Sequence, residues 1–95
     1  MPRRSELTIP AVAGIISAEQ VRQTAESIAR AQEPDGAIPW FAGGHTDPWD
    51  HIEGAMAMTV AGLEEPVARA YEWLRRTQLP NGSWVSKRTG GIVED

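Results

Sequence analysis

The feature that most constrains this chain is a repeated way of ending a helix. Gln32-Glu33-Pro34-Asp35-Gly36-Ala37-Ile38-Pro39-Trp40 and Gln78-Leu79-Pro80-Asn81-Gly82-Ser83-Trp84 share one order: Gln, Pro two residues on, Asp or Asn, Gly, and then Trp. The two glutamines stand 46 residues apart. A self-similar period of about 40–50 residues is what stacked helical repeats produce. Each part has a physical task. Pro and the Asp/Asn-Gly pair stop the helix and turn the chain. The Gln amide can satisfy backbone groups of an adjoining helix end, and the Trp ring can cover it. The plainer alternative is a pair of unrelated Pro/Gly stops.

The 95 residues are 41% hydrophobic and 23% charged, the balance of a soluble globular protein. Nine Gly and seven Pro keep helices from filling the chain. A domain of this size buries only about 60% of the surface its unfolded chain exposes, so its core is marginal without a partner, a metal, a disulfide or more chain. The net charge of −4, with one lysine (Lys87) and scattered arginines, argues against nucleic acid, whose phosphates need clustered cations. The absence of cysteine excludes a disulfide scaffold, a thiol nucleophile and a cysteine-ligated metal. No apolar run approaches the roughly 20 residues of a membrane span. The stretch Ile9 to Ile16 is broken by Pro10 and Gly14, which does not suit a signal peptide. A cytoplasmic protein without a transmembrane segment is expected.

Along the chain, residues 1–16 read as an irregular arm. Ser17-Ala18-Glu19-Gln20 is a capping box, and Val21, Ala25, Ile28 and Ala31 follow on one helical stripe. This helix should end near Gln32, before Pro34. Residues 37–46 read as loop. Asp47-Pro48 opens a second helix with an N-cap and a first-position proline. Its main stripe is Trp49, Ile52, Met56, Val60 and Leu63, and its apolar character on most sides predicts burial on most sides. Gly54 inside it calls for close approach of a neighbouring backbone. A third helix starts around Glu65-Pro66, with Val67, Ala70, Tyr71, Leu74 and Gln78 on one face. Residues 85–95 show no period and read as an irregular tail, cut short.

The second repeat extends backward. Arg69, Ala70, Trp73, Leu74, Gln78, Gly82 and Trp84 fill every fixed position of the QW motif, so residues 17–84 resemble the squalene–hopene cyclase and protein prenyltransferase superfamily. The first copy is degenerate: Ile28, Gln32 and Gly36 match, and Trp40 comes one residue late. Residues 43–53 also resemble bacterial proteins described as prenyltransferase-like. The resemblance implies an all-α fold, a partial α/α toroid of helical hairpins. Helices one and three would be outer and helix two inner. Arg69, Trp73, Leu74, Gln78, Gly82 and Trp84, with Gln32, Gly36 and Trp40, would form the structural clasps. It further implies an apolar cavity for an isoprenoid or other greasy substrate, with Trp40, Trp49 and Met56 as contact residues.

The catalytic parts of that superfamily do not carry over. There is no D-x-D-D string, and no cysteine for the prenyltransferase zinc. His45, Asp47, Asp50 and His51 form the densest polar cluster, and such side chains can act as acids, bases or metal ligands. Asp50 and His51 are the catalytic candidates. They are neighbours on one helix, however, about 100° apart, and do not naturally face one ion. No metal site and no cofactor is expected. Two functions stay open: the N-terminal structural segment of a prenyltransferase- or cyclase-like toroid, with no complete catalytic set of its own, or a non-catalytic helical-repeat module. The partner would be the missing C-terminal part of the ring in the first case and a second copy or another protein in the other.

Overall fold

The computed structural model describes residues 8–94. It contains three helices, α1 Ala18–Ala31, α2 Pro48–Val60 and α3 Glu64–Thr77, then two short strands, β1 Lys87–Thr89 and β2 Ile92–Glu94. The part of the expected N-terminal arm in residues 1–7 lies outside the described residues. From residue 8 to Ser17 the chain is irregular, apart from a tight turn that pairs Val12 with Ile16.

Local signals account for the helix starts. Ser17 caps α1: its hydroxyl accepts the Gln20 N–H at 3.1 Å, and Gln20 Oε1 accepts the Ser17 N–H at 2.8 Å. Asp47 caps α2 through the Asp50 N–H at 2.8 Å, with Pro48 at the first helical position. α3 begins without a side-chain cap.

α2 packs against both α3 and α1. The core joins Ile38 from the loop, Ala55 and Met58 from α2, and Val67 and Ala70 from α3, with Ile28, Ala29 and Leu63 packed around them. The close neighbours of Gly54 are side chains rather than backbone: a Cβ there would lie 3.2 Å from Ile38 Cγ2 and 3.4 Å from Ile28 Cγ2. Most of the stripe expected to bury α2 faces outward instead, with Ile52 half-buried and Leu63 packed against the core. His51, Ala55 and Met58 are the buried positions, whereas Trp49, Met56 and Val60 are exposed. Among the described residues, α1 and α3 cover one face of α2 and leave Trp49, Met56 and Val60 bare on the other.

Two expectations are corrected by this architecture. The fold is mostly helical but not all-α, because residues 87–94 form a strand pair. The tail is not irregular: β1 and β2 form an antiparallel hairpin in the register Lys87↔Glu94, Arg88↔Val93 and Thr89↔Ile92. Gly90 and Gly91 are its two-residue turn. Both have positive φ, 58° and 84°, which suits the right-handed twist of a short hairpin. The hairpin is fastened to the loop before α2 by two backbone bonds, Thr46 N–H to Arg88 O at 2.7 Å and Arg88 N–H to Thr46 O at 2.9 Å.

The repeat is written into the backbone. α1 and α3 have the same length, 14 residues, and their ends are offset by the same 46 residues that separate the glutamines. Gln32 and Gln78 end them with nearly identical dihedrals, φ −59°, ψ 134° and φ −64°, ψ 131°. Each turn then closes alike. Glu33 N–H meets Ala37 O at 2.8 Å, and Leu79 N–H meets Ser83 O at 2.7 Å. Asp35 and Asn81 each accept a backbone N–H two residues on. Gln32 Nε2 donates to Gly36 O at 3.0 Å, and Gln78 Nε2 to Gly82 O at 2.9 Å.

The copies differ in what lies outside them. Gln32 Nε2 donates a second bond, 2.9 Å long, to Pro66 O in the first turn of α3. Gln32→Ala should therefore cost about 1–3 kcal/mol, the penalty for stranding partly buried acceptors. Gln78→Ala, at an exposed turn, should stay within about 0.5 kcal/mol. Urea unfolding of the two variants makes the comparison. Equal losses would show that the bond to Pro66 has no special weight.

Candidate functional site

His51 and Asp50 are neighbours in sequence but face different environments. His51 is fully buried. Its Nδ1 accepts the Ile38 N–H at 3.0 Å, so its proton sits on Nε2, which lies 2.8 Å from Ala70 O and donates to it. The ring also lies against Trp73, with centroids 4.4 Å apart. Both nitrogens are thus used inside the core. Burial pushes the imidazole pKa below its ordinary value, against the opposing pull of the Ala70 carbonyl. The sequence-derived acid–base candidate is in position to hold the fold and not to meet a substrate.

Asp50 lies at the surface. With Glu53, Gly54, Ile28, Pro39 and Trp40 it lines an open pocket of about 380 Å³. α2 places Asp50 and Glu53 three residues apart, on neighbouring positions of one helical face. Asp47 sits beside them. Its carboxylate accepts the Trp40 indole N–H as well as the Asp50 N–H. Partial burial raises the Asp47 pKa, but those hydrogen bonds outweigh it and hold the carboxyl below its ordinary range. The Asp50 carboxyl is pushed up by desolvation and by the neighbouring Asp47 anion. The two carboxyls, a turn apart, are therefore shifted in opposite directions.

Aromatic surface surrounds this pair. Trp49, Phe41 and Trp40 are 76%, 63% and 51% exposed, an unusual concentration of bare aromatic rings within ten residues of sequence. Met56 is exposed further along α2. Trp40 does not take the clasp position in the first repeat. Ile38 stands at the place that corresponds to Trp84, whose indole N–H donates to Leu74 O at 2.9 Å. Trp40 instead reaches outward to Asp47. Of the other motif residues, Trp73 is buried against His51, Leu74 is half-buried, and Arg69 pairs with Glu65 at 2.8 Å.

A second polar group borders Trp40, and the sequence reading missed it. His45 Nδ1 is 2.5 Å from Glu94 Oε2 and 3.0 Å from Thr89 Oγ1. Thr89 Oγ1 donates to Glu94 Oε2 at 2.8 Å. The Thr89 hydroxyl, first, and then His45 hold the Glu94 carboxyl below its ordinary range. His45 packs edge-on against Trp40 with ring centroids 5.4 Å apart. Lys87 Nζ stands 5.9 Å from the Trp40 ring centroid. Reading Gly90-Gly91 as a hairpin turn was the signal that could have brought Thr89 and Glu94 here. Among the described residues, no three His, Asp or Glu side chains gather as a metal ligand set, and no helix is long and apolar enough to cross a membrane.

No protein-family profile matches this chain. The chain is similar to an MMP endo-(1,4)-3-O-methyl-alpha-D-mannosidase of Mycolicibacterium hassiacum, with 61% identity over 87 residues, 92% of this chain and 24% of the relative. The chain thus spans about a quarter of the length of that relative. The name describes a glycoside hydrolase, which overturns the resemblance to prenyltransferases and terpene cyclases. The expected isoprenoid ligand and the expected transferase or cyclase chemistry fall with it. The physical reason is visible in the clasps: their hydrogen bonds go to backbone carbonyls and end helices, a task independent of any substrate.

The His51 arrangement makes a pH prediction. An unfolded imidazole takes up a proton below its ordinary value of 6.5, while the folded one resists. The unfolded chain then binds more protons, so stability falls as the pH drops. The contribution is complete above that value and is lost as the pH falls through the folded pKa. Thermal melts between about pH 7 and pH 5 should show this slope, and His51→Gln should flatten it. An unchanged slope in the variant would place its origin elsewhere.

Proposed function

We propose that this chain is the carbohydrate-contacting segment of a glycoside hydrolase that cleaves α-(1→4)-linked 3-O-methylmannose chains within their length. The observation that carries this reading is the 61% identity over 92% of the chain to the mannosidase. The pocket suits the task. A methylated mannose offers C–H faces and methyl ethers, which pack on exposed indoles such as Trp40 and Trp49, and hydroxyls, which donate to Asp50 and Glu53. Aromatic rings with a polar partner serve well where one side of a ligand is apolar and the other wet.

In glycosidic cleavage one carboxylic acid protonates the leaving oxygen while a second carboxylate acts as base or nucleophile. We assign the proton-donor role to Asp50, which lines the pocket with Glu53 and Trp40 and whose pKa is raised by desolvation and then by the Asp47 anion. The opposing carboxylate and the rest of the sugar groove come from the remainder of the longer protein. The toroid expected from the sequence belongs to the same proposal: the α1–α2–α3 unit is one part of a ring of similar hairpins, closed by further copies.

The test is a chimera in which this chain replaces the matched segment of the Mycolicibacterium hassiacum mannosidase. The chimera should hydrolyse methylmannose oligosaccharides. Asp50→Asn should lower kcat by at least about 100-fold, within the range of general acid catalysis, with KM little changed. Trp40→Ala should chiefly raise KM. An Asp50→Asn chimera with full kcat removes the proton-donor assignment, and a folded chimera that acts on no methylmannose oligosaccharide removes the substrate class.

A further inference from the structure

The first clasp is occupied from outside, and its occupant is visible. α3 lies over it at three points, two in its first half and one near its C-terminal end. Gln32 Nε2 donates to Pro66 O. Gly36 is so close to α3 that a Cβ there would lie 2.4 Å from Arg69 O. Arg76 donates to Asp35 O at 2.5 Å. Gly36, Ala37 and Ile38 are buried as a result.

The second clasp has the same backbone bonds and the same glycine conformation, φ 98° at Gly36 and 90° at Gly82, but its outer side is open. Among the described residues, Gln78 Nε2 donates only to Gly82 O. A Cβ on Gly82 would meet nothing but Gln78 Nε2, at 3.8 Å. Asn81, Gly82 and Ser83 are exposed. Two turns so alike in backbone, one covered and one bare, identify the missing piece by its shape.

We propose that the 78–84 turn is a docking site for the first turns of a further helix, supplied by the part of the longer polypeptide that lies beyond this segment. The inference rests on the reading of the chain as one segment of a larger hydrolase, since about three quarters of the matched relative lies outside the matched segment. The occupant is specified by α3. The carbonyl of its third residue accepts from Gln78 Nε2, and the carbonyl of its sixth residue rests on Gly82. A basic side chain near its C-terminal end reaches the Asn81 carbonyl. A helix start fits because its first turn can approach a glycine without side-chain obstruction, and the amide N–H of Gln78 is free to donate again.

Hydrogen exchange tests this on two proteins, the isolated 95-residue chain and the mannosidase chimera. In the isolated chain the amides of residues 79–84 should exchange at least tenfold faster than those of residues 33–38. In the chimera the two turns should be protected alike. Ser83→Trp, which fills the bare side, should leave the melting temperature of the isolated chain within about 1 °C and lower that of the chimera by several degrees. A folded chimera with the 79–84 turn still open overturns the proposal. So does an isolated chain that protects this turn by dimerising, because the occupant is then a second copy. Protection without hydrolysis would retain the docking site and discard the substrate assignment. Hydrolysis without protection would do the reverse, and a chimera that does not fold counts against both.

Discussion

The structure depends on one buried imidazole. His51 joins three pieces of chain: its own helix, the loop at Ile38 and the carbonyl of Ala70 on α3. A buried N–H or C=O without a partner costs on the order of 1–3 kcal/mol. One side chain with a donor on one edge and an acceptor on the other settles Ile38 and adds to Ala70. Trp73 closes the ring from the side. With Ile38 held, the loop after the first clasp has a fixed exit, and Trp40, two residues on, emerges at the surface beside Asp47 and Asp50.

That chain of constraint links the core to the pocket. α2 carries His51 inward and Asp50 outward, since successive helical residues point about 100° apart. The helix start supplies Asp47 as a cap, and the same carboxylate receives the Trp40 indole and adds to desolvation in raising the pKa of Asp50. A residue needed for helix initiation is thus also the electrostatic partner of the proposed proton donor. The hairpin at the other side of Trp40 adds Glu94 and Thr89 through His45. The outer face of α2 leaves Trp49 and Met56 exposed.

The QW motif is instructive because it was both specific and misleading. Its Gln, Gly and Trp make the helix-ending contacts their chemistry allows: amide to carbonyl, glycine in a left-handed turn, indole to helix carbonyl. Their partners are the backbone of the turn and of the helix it ends. A pattern of this sort travels among proteins that stack helical hairpins and says nothing of what they bind. The degenerate first copy carried the more useful message, since its Trp is displaced from the clasp and left free to form part of a surface.

Sequence alone determined the local features: the capping box at Ser17, the Asp47-Pro48 start, the stops after Gln32 and Gln78, and the 46-residue offset. Caps, prolines and glycine turns act within a few residues, so their effect can be read from spacing. The tertiary structure decided which face of α2 is buried, that His51 belongs to the core while Asp50 belongs to the pocket, and that Glu94 meets His45 across 49 residues of chain. An apolar helix with small residues on several sides offers more than one face to a core. Only the actual packing partners, Ile38 from the loop and Val67 and Ala70 from α3, choose between them.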